Sequence, residues 1–117
     1  ITRTKDGLTA KNSGKSVNLW KGAIDDGEFV LKELDKLAKK YPDDPKVVEG
    51  VPKYRQLTID QMVEAHLHLA SNYTIDSSYE KALKETNKAL ALDPQNPQAL
   101  AQRARIEQAA AEGLDLF

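Results

Sequence analysis

The sequence contains no cysteine, no long apolar run and no excess of one charge. Without cysteine, the chain forms no disulfide, no thiolate zinc site and no cysteine nucleophile. No apolar run approaches the roughly 20 residues of a membrane-spanning helix, so we expect no membrane span. Lys and Arg number 17 against 18 for Asp and Glu, which argues against the basic face that binding of nucleic acid calls for.

The overall composition, with 40% apolar and 30% charged residues, is typical of a soluble globular protein. A length of 117 residues predicts one domain, since domains run to about 150 residues. No segment alternates polar and apolar residues over a useful length, so we predict an all-α fold without a sheet. The compartment stays open between the cytoplasm and an extracytoplasmic space reached after removal of a signal peptide.

The front half is predicted to hold two helices separated by a turn. Apolar residues recur at helical spacing over 16–25, which predicts a short helix there. Asp26 and Gly27 together are typical of a turn. An apolar stripe at the helical period follows, and its members are Val30, Leu31, Leu34, Leu37, Ala38 and Tyr41. Pro42 is predicted to end this second helix.

The next segment begins with a clear start signal and then loses its pattern. Asp44 and Pro45 are typical of an N-cap followed by the first helical position. Gly50 and Pro52 interrupt the segment soon after, so only a short helix is predicted here. We interpret residues of about 45–58 as an insertion between two helical units.

Three further helices have recognisable boundaries. Thr-Ile-Asp-Gln at 58–61 and Ser-Ser-Tyr-Glu at 77–80 each match a capping box. Asn96 with Pro97 predicts another helix start, and Gly113 is its expected end. The predicted helices are 59–73, 78–91 and 97–112, with a polar arm over 1–15 and a tail over 113–117 flanking a domain of 16–112.

A stretch in the back half follows a known spacing of small and bulky residues, which are Leu69, Ala70, Tyr73, Ala82, Thr86, Ala89 and Pro94. This spacing resembles the tetratricopeptide repeat (TPR), a 34-residue pair of antiparallel helices. The sequence departs from the repeat at three positions, with His66 for its Trp, Ala70 for its Gly and Thr86 for its Phe. An antiparallel helix pair outside this family is the alternative.

The resemblance covers residues 63–96 well, 97–112 partly and 27–45 weakly. It implies a right-handed superhelical array of antiparallel pairs with about five to six helices. It also implies a concave groove, lined by the first helix of each pair, in which a protein or peptide binds. The residues that this groove would present are Glu64, Leu67, His68, Ser71, Ile75, Gln98, Ala101, Gln102 and Arg105. Some TPR proteins clamp a C-terminal carboxylate with Lys, Arg and Asn, but only Arg105 fits, so we expect no chaperone-tail binding.

No arrangement of residues indicates an enzyme, a metal site or a cofactor site. The Ser-Gly-Lys-Ser stretch at 13–16 resembles part of a phosphate-binding loop, but the glycine required five residues earlier is absent. His66 and His68 lie two residues apart on different helical faces, so they cannot chelate one metal. Asp60, Glu64 and His68 share a face, where we expect a surface Glu64–His68 pair rather than a metal.

The predicted function is protein–protein interaction, in which a scaffold or adaptor binds a peptide or helix in the groove. Two alternatives remain open. One is a structural or assembly subunit that forms homo-oligomers through an open repeat end. The other is a regulatory domain of a larger enzyme or secretion component. Trp20, the only tryptophan, is expected to anchor the N-terminal helix on the core, with a hot spot for a partner as its alternative.

Overall fold

The computed structural model describes residues 13–115, and it describes side chains over 16–113. This part of the chain forms four helices and no strand, in agreement with the predicted all-α class. The helices are α1 (Ser13–Lys40), α2 (Pro45–Ile75), α3 (Tyr79–Leu92) and α4 (Pro97–Asp115). Loops of a few residues connect them, so successive helices pack antiparallel. None of these helices combines the length and the apolar character that crossing a membrane requires.

The predicted count of five to six helices is too high for this part, because two predicted breaks are absent. The first is the turn at Asp26 and Gly27, which lie in the middle of the continuous α1. Gly27 is buried against α2, where an added β-carbon would lie 2.7 Å from the sulfur of Met62. The glycine therefore serves a close approach between two helices rather than a turn.

The second absent break is in α2, which runs without interruption through Gly50 and Pro52. Asp44 caps this helix as predicted, and its carboxylate accepts hydrogen bonds from the backbone N–H groups of Lys46 (2.9 Å) and Val47 (3.4 Å). Pro52 lacks an N–H group and removes one helical hydrogen bond, which a helix of 31 residues tolerates. The predicted insertion at 45–58 is thus the first half of α2.

The capping box predicted at 58–61 is also wrong, because these residues lie inside α2. Thr58 is buried, and its hydroxyl donates to the carbonyl of Tyr54 at 2.7 Å. A hydroxyl that bonds one turn back stays within the helix instead of starting it.

The boundaries of α3 and α4 agree with the sequence at three of their four ends. α3 spans Tyr79–Leu92, and each end lies within one residue of the predicted end. Its N-cap residue, Ser78, makes no side-chain hydrogen bond, so the capping box predicted at 77–80 is not formed. Asn96 caps α4 as predicted, accepting from the N–H group of Ala99 at 2.9 Å. α4 does not end at Gly113 as predicted but continues through it to Asp115. Gly113 keeps a negative φ, and a helix interior accepts glycine at a cost of about 1 kcal/mol.

The predicted polar arm and tail lie largely outside the described residues, which exclude 1–12 and 116–117. Residues 13–15 of the predicted arm begin α1, so the Ser-Gly-Lys-Ser stretch at 13–16 is helical rather than a loop. Residues 113–115 of the predicted tail complete α4.

Three clusters of buried side chains hold the helices together. Between α1 and α2 the cluster consists of Ile24, Met62, Ala65 and Leu69, with Trp20 packed against it. Among α2, α3 and α4 it consists of Val63, Leu67, Ala89, Leu90 and Ala99. A third cluster joins Ala70, Ala82 and Ile106. The two alanines of the third cluster are fully buried, as expected of small residues where α2 and α3 approach closely.

The first half of α2 extends beyond α3 and α4. At about 1.5 Å per residue, α2 is about 46 Å long and α3 about 21 Å, so α3 can cover only half of α2. In the buried clusters, the residues of α2 that meet α3 and α4 begin at Ile59. Before that point α2 pairs with α1, for example through the Arg55–Asp35 ion pair. We call residues 28–57 the distal hairpin. Because this hairpin extends beyond α3 and α4, the molecule is elongated and measures 60 × 32 × 19 Å.

Candidate binding groove

A groove lies between α2 and α4, which run side by side in the same direction. Their register follows from the buried clusters, which join Ala99 with Val63 and Ile106 with Ala70, and from a hydrogen bond of Gln102 to the carbonyl of Leu67. A residue of α2 is therefore level with a residue about 36 positions later. The groove has a volume of about 860 Å³ and is lined by Asp60, Val63, Glu64, Leu67, His68, Ser71, Asn96, Pro97, Gln98, Ala101, Gln102 and Arg105.

All of the residues predicted to face a partner line this groove except Ile75. Ile75 is the last residue of α2 and is 67% exposed, outside the groove. Leu67 lines the groove but is buried, so only part of its side chain is open to a ligand. Partner binding by these residues stays a prediction.

Four further residues line the groove that were not among those predicted to face a partner: Asp60, Val63, Asn96 and Pro97. Asp60 belongs to the capping box predicted for the first turn of a helix, whereas it lies four turns inside α2. The available signal was helical spacing, because Asp60 precedes Glu64 by four residues and therefore shares its face.

Gln102 links the two walls of the groove. Its side-chain nitrogen donates to the carbonyl of Leu67 at 3.0 Å and lies 3.1 Å from the hydroxyl oxygen of Ser71. A polar side chain of α4 thus satisfies groups on α2 that lie more than 30 positions earlier in the chain. These bonds fix the spacing of α2 and α4 and occupy the amide nitrogen of Gln102.

The charged side chains of the groove are separated by sign. Asp60 and Glu64 come from the first turns of the groove wall on α2, whereas Arg105 comes from the far end of the wall on α4. Asp60 accepts a hydrogen bond from the amide of Gln56 at 2.8 Å. Glu64 lies 3.6 Å from the Nε2 atom of His68, which is the surface pair that the spacing predicts.

His68 also contacts α1 on its other side. Its ring stacks on that of Trp20, with centroids 4.2 Å apart and planes 3° from parallel. Trp20 itself packs on the buried cluster between α1 and α2, in agreement with the anchoring role expected of it. No local pattern indicates the stack, because the two rings lie 48 positions apart and meet only after α1 folds back on α2.

Comparison of the chain with protein-family models, with curated proteins and with solved structures gives no match. The resemblance to TPR proteins therefore depends on the chain's own residues, and the function is inferred from its surfaces.

A second cleft, of about 470 Å³, lies over α2 between α1 and α3. Its wall includes His66, which is 5% exposed, and Glu85. The Nδ1 atom of His66 lies 3.0 Å from one carboxylate oxygen of Glu85, and Lys88 donates to the other at 3.2 Å. His66 is thus buried between helices, and its Nδ1 atom has a partner on α3. Over the side chains of 16–113, no group of three or more His, Asp or Glu is arranged to hold a metal ion.

Proposed function

We propose that this chain is a protein–protein interaction module, an adaptor or scaffold that holds a peptide segment of a partner in the α2–α4 groove. The observation that carries the proposal is that side chains from two helices, distant in sequence, line one continuous groove. Its volume of about 860 Å³ lies within the range of about 300–1,000 Å³ that is typical of ligand pockets.

The chemistry of the groove favours a peptide over a small apolar molecule. Val63, Leu67 and Ala101 supply an apolar strip, and hydrogen-bonding side chains such as Ser71 and Gln98 flank it. Apolar anchors beside polar groups suit a peptide, which offers side chains and backbone N–H and C=O groups together.

We further propose that α2, α3 and α4 form a TPR-like unit within a right-handed array. The antiparallel α2–α3 pair is followed by α4, which runs parallel to α2, and small residues fill the closest contacts. The groove then corresponds to the concave surface that such arrays use for binding. The distal hairpin has no counterpart in a 34-residue repeat, because it adds the first half of α2 to a helix pair.

A peptide-display selection tests the proposal. Random 12-residue peptides are selected on the wild-type chain, and their affinities are measured again on Ala101→Arg, which fills the groove from an exposed position. Ala111→Arg is the matched control, because it makes the same change on an exposed face of the same helix outside the groove.

We expect the selected peptides to bind at least tenfold more weakly to Ala101→Arg and with unchanged affinity to Ala111→Arg. Circular dichroism melts of both variants check that they remain folded. A selection that yields no binding peptide, or peptides that bind Ala101→Arg as well as wild type, would contradict the proposal.

A second candidate function, self-assembly, is favoured by the distal hairpin. Two helices alone bury only the faces that they turn to each other, and large apolar side chains remain exposed. Those on the distal hairpin are Phe29, Val30, Leu37, Tyr41, Val48, Tyr54 and Leu57. Tyr54 is 61% and Leu57 53% exposed, which is typical of a surface covered in an assembly.

Sedimentation across a hundredfold concentration range tests self-assembly. A mass that rises with concentration, and that Leu57→Lys returns to the monomer value, would support the assembly-subunit function. Leu19→Lys is the matched control, because Leu19 is 73% exposed and lies outside the distal hairpin. A constant monomer mass would exclude self-assembly over that range.

A further inference from the structure

We infer that the groove selects an extended peptide that carries a positively charged side chain at one end and a carboxylate about four residues away. This inference rests on the proposed peptide-binding function and specifies its ligand. The positive group lies against Asp60, at the end of the groove and one turn before Glu64, and the carboxylate lies against Arg105.

The acidic end of the groove has two carboxylates, and neither is paired with a Lys or Arg among the described side chains. Asp60 is hydrogen-bonded only to the neutral amide of Gln56, and Glu64 pairs only with His68, at 3.6 Å. Asp60 and Glu64 are four residues apart on one helical face, an arrangement in which like charges repel. A Lys or Arg side chain of a ligand relieves this repulsion and supplies the missing counter-charge.

The basic end of the groove has the opposite imbalance. Arg105 takes part in none of the ion pairs formed by side chains over 16–113. Its neighbours along the groove wall, Ala101 and Gln102, are uncharged, and the amide nitrogen of Gln102 is already engaged by α2. A guanidinium group binds a carboxylate through two parallel hydrogen bonds, which makes a carboxylate its preferred partner.

The register of the helices sets the spacing of the two charges. Because Ile106 meets Ala70, Arg105 is level with about residue 69 of α2, nine residues beyond Asp60. At about 1.5 Å per residue, this distance along the helix axis is about 14 Å. An extended chain rises about 3.4 Å per residue, so about four residues separate the two charged groups of the ligand.

The hydrogen-bonding groups of the groove favour an extended ligand over a helix. Ser71 and Gln98 line the groove, and an extended chain leaves its backbone N–H and C=O groups free to bond such side chains, whereas a helix uses these groups internally. A helical ligand would also need its charges about nine residues apart, so the sequences of the selected peptides distinguish the two forms.

The test uses the same display selection on three forms of the full chain: wild type, the double variant Asp60→Lys/Glu64→Lys, and Arg105→Glu. We expect peptides selected on wild type to be enriched in opposite charges three to five residues apart. Peptides from Arg105→Glu should carry a basic residue in place of the acidic one, and those from the double variant an acidic residue in place of the basic one.

The affinity of one synthetic wild-type-selected peptide gives the quantitative result. We expect its dissociation constant to rise at least tenfold on Arg105→Glu and to recover when its acidic residue is replaced by Lys. Lys84→Glu is the control, because it also replaces a positive charge by a negative one but at an exposed position of α3 outside the groove. It should leave the affinity unchanged. Trp20 emission supplies a label-free readout, because its ring stacks on the groove residue His68.

The outcomes separate this inference from the proposed function. The inference is overturned, and the peptide-binding function left intact, by selected peptides that lose affinity on Ala101→Arg but lack the expected charges. Such peptides would be neutral, would carry charges of one sign, or would carry opposite charges about nine residues apart. Equal affinity for Arg105→Glu and wild type would have the same consequence. If no selected peptide loses affinity on Ala101→Arg, the proposed function and the inference fall together.

Discussion

Replacing glycine by alanine at three helical positions tests whether α1 and α2 are continuous and where they touch. Gly22 and Gly27 lie inside α1 and Gly50 lies inside α2. Alanine in a helix interior is favoured over glycine by about 0.5–1 kcal/mol, because its backbone loses less conformational freedom on folding. The effect of the added methyl group then depends on what surrounds it.

At Gly22 and Gly50 no atom lies within 4 Å of an added β-carbon. We therefore expect Gly22→Ala and Gly50→Ala each to raise the free energy of unfolding by about 0.5–1 kcal/mol. In a domain of this size that gain raises the melting temperature by about 2–4 °C.

At Gly27 the added carbon overlaps the side chain of Met62, which is only 4% exposed and would have to leave its place in the buried cluster between α1 and α2. Overpacking of this kind costs about 1–3 kcal/mol, which exceeds the gain in helix propensity. We expect Gly27→Ala to lower the free energy of unfolding by about 1 kcal/mol, measured by urea unfolding followed with circular dichroism.

A double-mutant cycle isolates the contact. In a Met62→Ala background the obstruction is gone, so Gly27→Ala should stabilise the chain as Gly22→Ala does. If Gly27→Ala is stabilising in the wild-type background as well, α1 and α2 do not approach closely at this point. If Gly22→Ala or Gly50→Ala is destabilising, the helix is not continuous there.

Three further substitutions test the core, a cap and a buried pair. Ala82→Leu overfills the fully buried cluster that α3 shares with Ala70 and Ile106 and should cost about 1–3 kcal/mol, and a urea melt without loss would contradict that packing. Asp44→Ala removes the N-cap of α2 and should cost about 1 kcal/mol, whereas Asp43→Ala beside it should change the melting temperature little. Glu85→Leu leaves the Nδ1 atom of buried His66 without its partner and should cost about 1–3 kcal/mol in thermal unfolding, and Glu85→Gln should cost less because its amide can still hydrogen-bond.

Several elements of the fold were predictable because they depend on residues close together in the chain. The caps at Asp44 and Asn96 form as predicted, since each needs only a side-chain oxygen and the N–H groups two or three residues later. The faces of the groove walls were predictable for the same reason, because helical spacing alone decides which residues share a side.

The predicted breaks failed where tertiary packing outweighed local preference. Gly27 and Pro52 both disfavour a helix locally, and both lie inside long helices. The absence of a side chain at Gly27 has its use in the contact with Met62, which is 35 positions away. The sequence around Thr58 is compatible with an N-cap and with a helix interior. Thr58 is buried within α2, and this burial decides for the helix interior.

Helix boundaries set by local hydrogen bonds, and the side of each helix on which a residue lies, were thus determined by the sequence alone. The tertiary structure decided which sides meet. The bridge from Gln102 to α2 and the stack of Trp20 on His68 join residues 31 to 48 positions apart. Such contacts leave no local pattern, because they depend on which apolar faces of whole helices pack against one another.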